Sequence, residues 1–117
     1  MSIKRDDIDN RRVDFSDIAS GRGLPTAHPG EILRDEFLAP MGISVYALAN
    51  AIRVPRSRAY DIVLGRRGIT IDTALRLGRY LGTSAEFWIN LQAHHDLDVA
   101  DRTLRRRIER EVAPRAA

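Results

Sequence analysis

The chain has 117 residues, of which 19 are basic and 16 acidic, with a formal net charge of +3 and no cysteine. That length suffices for one modest core and not two, and the missing thiols exclude a disulfide framework or a cysteine zinc site. No long apolar run and no signal-like segment is present, so a cytoplasmic chain with no membrane partner is expected. The mild excess of charge favours an acidic partner met at a defined surface over bulk coating, and 18 of the 19 basic residues are arginine, a better fork for base edges and phosphates than lysine.

Residues 1 to 27 carry five basic and five acidic residues and few large apolar ones, and Ser20-Gly21-Arg22-Gly23-Leu24-Pro25 is rich in turn formers. This stretch reads as an N-terminal arm. Its one apolar cluster, Val13, Phe15 and Ile18, suits docking on a partner or on the domain, or it stays flexible. Pro29 and Gly30 then open a helix through Phe37, with Glu31 in the first turn where the helix dipole favours an acid. Ile32, Leu33 and Phe37 face the core, Pro40 ends the helix, and Gly42 turns the chain. His28 has no nearby cysteine or paired histidine and reads as a cap-region residue, not a metal ligand.

The stretch from Ile43 to Thr70 predicts two short helices joined by a tight turn. Ser44 stands at an N-cap, and Leu48, Ala49 and Ile52 repeat at helical spacing behind it. After Arg53 and Val54, Pro55 opens a second helix that runs to Leu64 and stops at Gly65. Ala59, Ile62 and Val63 form its inner stripe, which turns Arg56, Ser57, Tyr60 and Asp61 outward. Between Arg53 and Arg67 five arginines meet one acid, a focused positive field. An α-helix fits the major groove of B-DNA, where arginine bonds guanine bidentately, while helix N-termini and loop arginines hold phosphates. Arg56, Ser57, Tyr60 and Asp61 are therefore assigned to bases, and Ser44, Arg58, Arg66 and Arg67 to phosphates. The competing reading is a solvated basic face; the turn spacing and the Gly65-Arg66-Arg67 exit weigh against it.

A fourth helix is expected from Asp72 or Thr73, with Ala74, Leu75, Leu77 and Leu81 inward and Gly82 as its stop. Ser84 opens a fifth, on which Phe87, Trp88 and Leu91 make the heaviest apolar patch, read as plain core, as the seam of a dimer, or as both. His94, His95, Asp96 and Asp98 lie close together, but neighbours on a helix diverge by about 100° and no third, distant histidine completes a metal shell. No phosphate loop and no nucleophile triad can be assembled. No catalytic residue, metal or cofactor is expected, and the chain reads as a binding protein, not an enzyme. From Asp98 to Val112, the spacing of Leu97, Ala100, Leu104, Ile108 and Val112 predicts an amphipathic sixth helix, supported by an Asp101–Arg105 pair.

Four motifs taken together carry a family resemblance: His28-Pro29-Gly30-Glu31-Ile32-Leu33; Gly65-Arg66-Arg67-Gly68-Ile69-Thr70; Asp72-Thr73-Ala74-Leu75-Arg76-Leu77; and Ser84-Ala85-Glu86-Phe87-Trp88-Ile89-Asn90-Leu91-Gln92. Over residues 28–97 the chain resembles the HigA-type helix-turn-helix antitoxins within the phage-repressor-like (XRE) group. It departs from them in having Pro55 for a polar cap, Ala59 for a larger aliphatic residue, and a long N-terminal extension. The resemblance implies an all-α, five- to six-helix phage-repressor-like domain at 28–97; the residues themselves place an N-terminal arm at 1–27 and a C-terminal amphipathic helix and tail at 98–117. It further implies a homodimer that binds double-stranded operator DNA, represses its own operon and neutralises a RelE-like ribonuclease toxin. A toxin that holds RNA is itself basic. Asp14, Phe15, Asp17 and Ile18, with Asp6, Asp7, Asp9 and Val13 beside them, are thus the candidate toxin contacts, and the C-terminal stripe is the rival surface. The alternatives are a stand-alone regulator without a toxin and a protein-interaction module.

Overall fold

The structure, a computed structural model, describes residues 27–116, which form six helices and no strand. The first, α1, is composite: an α-helical turn Pro29–Ile32, a π-helical stretch Leu33–Leu38 and a final turn Ala39–Met41. It is followed by α2 (Val45–Ile52), α3 (Arg56–Val63), α4 (Ile71–Leu81), α5 (Ala85–Thr103) and α6 (Arg105–Glu111).

Local chemistry sets most of the helix starts. The Ser44 hydroxyl accepts from the Ala47 amide at 3.0 Å, Thr70 from Thr73 at 3.3 Å and Ser84 from Phe87 at 3.0 Å, each satisfying an amide that the first turn leaves without a carbonyl. Gly42 and Gly82 end α1 and α4 with positive φ. The sequence places the α4 start at Asp72 or Thr73, whereas the Thr70 hydroxyl takes the cap and the helix begins at Ile71.

Pro40 does not end α1, contrary to the sequence expectation. The helix carries it inside the last turn and stops only at Gly42. Upstream, the widened stretch sends the Ala39 amide five residues back to the Arg34 carbonyl, so the absence of an N–H at residue 40 falls in a segment whose bonding is already shifted.

The core is one cluster drawn from all helices but α6. Phe37, Phe87 and Trp88 form its aromatic centre, with centroids 4.8 to 5.8 Å apart and the Phe87–Trp88 pair edge to face. The indole Nε1 donates to Thr83 Oγ1 at 2.7 Å, so Trp88 is buried without an orphan donor. Trp88 and Leu91 are 0% exposed and Phe87 is 4% exposed within a single chain. Their side chains are covered by their own protomer, as the plain-core reading expects.

Two other expectations are corrected by exposure. Leu75 is 59% exposed. At about 100° per residue, the buried arc of α4, made by Thr73, Ala74, Leu77 and Gly78, leaves residue 75 on the outer side. The fifth helix does not give way to a sixth near Asp98; α5 runs unbroken to Thr103, and the chain bends at Leu104, whose φ of −121° leaves helical geometry. The Asp101–Arg105 pair spans that bend, with the Arg105 Nε donating at 2.8 Å. Leu97, Leu104, Ile108 and Val112 all remain exposed. The arm candidates Asp14, Phe15, Asp17 and Ile18 lie outside the described residues.

Candidate nucleic-acid interface

The turn between α2 and α3 is made by Arg53, the one described non-glycine residue with positive φ, at 63°. A left-handed conformation costs an L-residue energy, and it persists where surrounding contacts hold it. Those contacts are present. The Val54 amide donates to the Ala49 carbonyl at 3.1 Å, and the Val54 side chain is buried in the core. From α4, Arg76 Nη1 donates to the Ile52 carbonyl at 3.0 Å while its Nε bonds Asp72 at 2.7 Å. One guanidinium thus caps the end of α2 and ties it to the start of α4.

The far end of α3 is fixed as tightly. Gly30 lies against the Ile62 main chain so closely that a Cβ there would stand 1.7 Å from the Ile62 oxygen. Only glycine permits that approach. The amides of Arg66 and Arg67 both donate to the Asp61 carbonyl, at 2.8 and 3.2 Å, which curls the exit loop back under the helix. Beyond it, the Ile69 amide donates to Gln92 Oε1 at 2.7 Å, and Gln92 Nε2 donates to Asp96 at 3.0 Å. The whole α2–turn–α3–loop unit is therefore bolted to α1, α4 and α5.

On this frame Arg56, Ser57 and Tyr60 stand exposed on α3, the face assigned to bases. Asp61 is half-buried and faces Arg66, whose Nη1 lies 3.6 Å from its carboxylate. Arg56 lies 4.7 Å above the Tyr46 ring of α2, a cation–π contact that holds the guanidinium in place across the two helices. Arg66 and Arg67 are exposed on the loop after α3, and the Ser44 hydroxyl is engaged in capping at the start of α2.

The structure adds residues to which sequence reading gave no role. Arg58 and Arg67, both assigned to phosphates, line a cleft of about 450 Å³ together with Arg53, Arg76, Thr70 and Asp72. Four arginines and one aspartate thus gather beside the α4 N-terminus, next to the exposed face of α3. Arg53 was countable in the sequence as part of the local charge. Arg76 lies 24 residues from its Ile52 partner, and only the folded chain brings the two together.

His28 caps α1: the Gly30 amide donates to its Nδ1 at 2.9 Å. Sequence reading found no distant histidine to join His94 and His95, but the fold sets the His28 ring edge-on to His95 with centroids 5.0 Å apart. Among the described residues no group of three or more His, Cys, Asp or Glu side chains is arranged to hold a metal ion, and no helix is long and apolar enough to cross a membrane.

Residues 33–88 match the family described as Helix-turn-helix. The chain is 55% identical over 78 residues to virulence-associated protein I of Dichelobacter nodosus, covering 67% of this chain and 72% of that protein. Its structure is similar to that of Pseudomonas aeruginosa antitoxin HigA with higBA promoter, with a TM-score of 0.75 and 49% identity over 79% of this chain and 100% of that one. It is equally similar to antitoxin GraA in complex with its operator, with a TM-score of 0.75 and 42% identity over 82% and 97% of the two chains. With the α2–turn–α3 unit in place and these likenesses spanning most of the described residues, the chain belongs to the HigA-type antitoxins of the helix-turn-helix family.

Proposed function

We propose that this protein binds double-stranded operator DNA as a homodimer, represses its own operon and silences a RelE-like ribonuclease toxin, acting by binding alone. The observation that carries the DNA reading is the pairing of an exposed, arginine-bearing α3 with the four-arginine cleft at its side. One element offers base-reading groups to the major groove, the other a seat for the adjacent backbone. Two relatives of the same fold have been solved on a promoter and on an operator. In this reading Arg56, Ser57 and Tyr60 meet bases, with Asp61 steering Arg66, while Ser44, Arg53, Arg58, Arg66 and Arg67 meet phosphates.

A homodimer is supported by the economy of recognition, since one helix reads only a few base pairs. Half-sites are expected about 10–10.5 base pairs apart, or at a multiple. With Phe87, Trp88 and Leu91 buried, the seam moves to exposed apolar surface, of which the stripe Leu97, Leu104, Ile108 and Val112 is the longest run. The toxin reading rests on the antitoxin relatives. Fluorescence anisotropy with the DNA upstream of the coding region tests the first step: nanomolar, salt-sensitive binding that random duplex of equal length does not match is expected. Equal affinity for both duplexes would sink operator recognition. Co-expression with the neighbouring reading frame tests the second step, and a neighbour harmless on its own would leave a regulator without a toxin.

A further inference from the structure

His28 joins three elements: α1, α5 and the turn at the end of α3. Its Nδ1 accepts the Gly30 amide and so caps α1. Its ring packs edge-on against His95 of α5. Its Cγ lies 3.8 Å from the point where a Cβ on Gly65 would stand, so the ring covers the turn at the end of α3. Two residues on, Gly30 bears directly on the Ile62 carbonyl of α3. The geometry dictates the protonation state: a nitrogen that accepts an amide must be bare, so the proton of the neutral ring sits on Nε2.

We propose that His28 is an acid-sensitive latch, in which protonation of Nδ1 ends the α1 cap, frees the exit of α3 and thereby weakens the operator binding proposed above. The inference rests on that reading for its functional output, but not for the latch itself. A protonated Nδ1 turns an N–H toward the Gly30 N–H, replacing a hydrogen bond with a clash of donors. The new charge also faces His95.

Among the described residues, the charged groups around the ring are few. Glu31 lies on its own helix, and His95 and Asp96 face it from α5. From the loop after α3 the neighbour is uncharged Gly65, with Arg66 directed to Asp61 and Arg67 lining the cleft. Burial, and then His95, hold His28 below its ordinary value of 6.5, against the opposing pull of Glu31 and Asp96. For a base held low by the fold, the neutral form is the native one. The contribution of the cap to stability is thus whole above pH 6.5 and is lost as pH falls through the folded value.

Two measurements on the full chain decide the matter. Without DNA, NMR titration of the His28 ring and the Gly30 amide is expected to give one shared midpoint; different midpoints would overturn the latch. With DNA, operator affinity at constant ionic strength is expected to fall about threefold to tenfold between pH 7.5 and pH 5.5. His28→Asn keeps a side-chain acceptor at the cap without titrating, so it should bind as the natural chain does near pH 7.5 and lose most of the acid response. An unchanged acid response in His28→Asn would refute the latch, and His28→Ser supplies the same comparison if the Asn variant does not fold. Failure of the natural chain to bind operator at neutral pH would count against the operator reading alone, and the shared NMR midpoint would then decide for or against the latch.

Discussion

At the scale of single residues, the arginines of the interface differ in what holds them, and this predicts different consequences of losing them. Arg56 is steadied by the Tyr46 ring and presented from α3, a setting suited to a fixed bidentate contact. Arg56→Ala is therefore expected to cost about 1–3 kcal/mol on the preferred operator and little on random duplex. Arg66 and Arg67 sit on the exit loop, where Arg66 makes a long 3.6 Å contact with Asp61. Replacing both with Ala is expected to weaken binding to all sequences alike and to flatten the log–log salt slope by about 0.9 for each lost phosphate contact. Anisotropy titrations at several salt concentrations separate the two behaviours, and equal losses on both duplexes in Arg56→Ala would make that residue a phosphate contact. Gly30 makes a third kind of prediction. A Cβ there meets a main-chain oxygen at 1.7 Å, and neither backbone can swing aside as a side chain does. Gly30→Ala is thus expected to destabilise the fold by about 1–3 kcal/mol or more and to disturb α3, visible as a lower urea midpoint together with reduced operator affinity.

At the scale of helices, what was legible in the sequence is what neighbours in the chain decide. Ser44 and Ser84 cap where the sequence places them because each hydroxyl needs only an amide three residues on. Gly82 stops α4 because a left-handed residue is a local requirement. The inner stripe of α3, Ala59, Ile62 and Val63, is buried as its spacing implies. The misreadings arise where the decision is made elsewhere. Nothing near Pro40 announces that the preceding turn widens to π geometry and lets the helix pass through it. Leu75 looks like core by composition, yet the arc defined by Thr73, Ala74, Leu77 and Gly78 excludes it. The Arg76–Ile52 and Ile69–Gln92 bonds span 24 and 23 residues, a separation at which a sequence carries no visible signal. The aromatic patch on α5 was legible as core or as a dimer seam with no choice between them, because periodicity gives a face and not its partner. Its burial separates two experiments. Trp88→Ala is expected to cost about 3–5 kcal/mol and to shift urea unfolding without any specific effect on assembly. Leu104→Glu, on the exposed stripe, should leave the urea midpoint of the domain nearly unchanged and shift light-scattering mass from dimer to monomer. A Leu104→Glu chain that stays dimeric on and off DNA would move the seam to another surface.

At the scale of the whole molecule, functions divide along the chain in a way that one deletion can test. Among the described residues, α3 and its flanking turns are positioned by the Gly30 approach, the Arg76 brace and the Gln92 bridge. Residues 1 to 25 hold Asp6, Asp7, Asp9, Asp14 and Asp17 around Val13, Phe15 and Ile18, beside five basic residues, and these acid and apolar groups complement a basic, RNA-holding toxin. The chain's arginines lie mainly after residue 52, so a basic partner meets less repulsion at the arm than at the helical domain. Removing residues 1 to 25 is accordingly expected to preserve the helical content, the urea midpoint and the operator affinity, while abolishing rescue of cells that express the neighbouring toxin gene. Pull-down of the toxin by the full chain but not by the truncated one would give the same answer without cells. Full rescue by the truncated chain would instead assign the contact to the helical domain, with the C-terminal stripe as the surface to mutate next. Joint loss of rescue and of operator binding would show that the arm supports the fold, so that its acids serve the domain and not a partner.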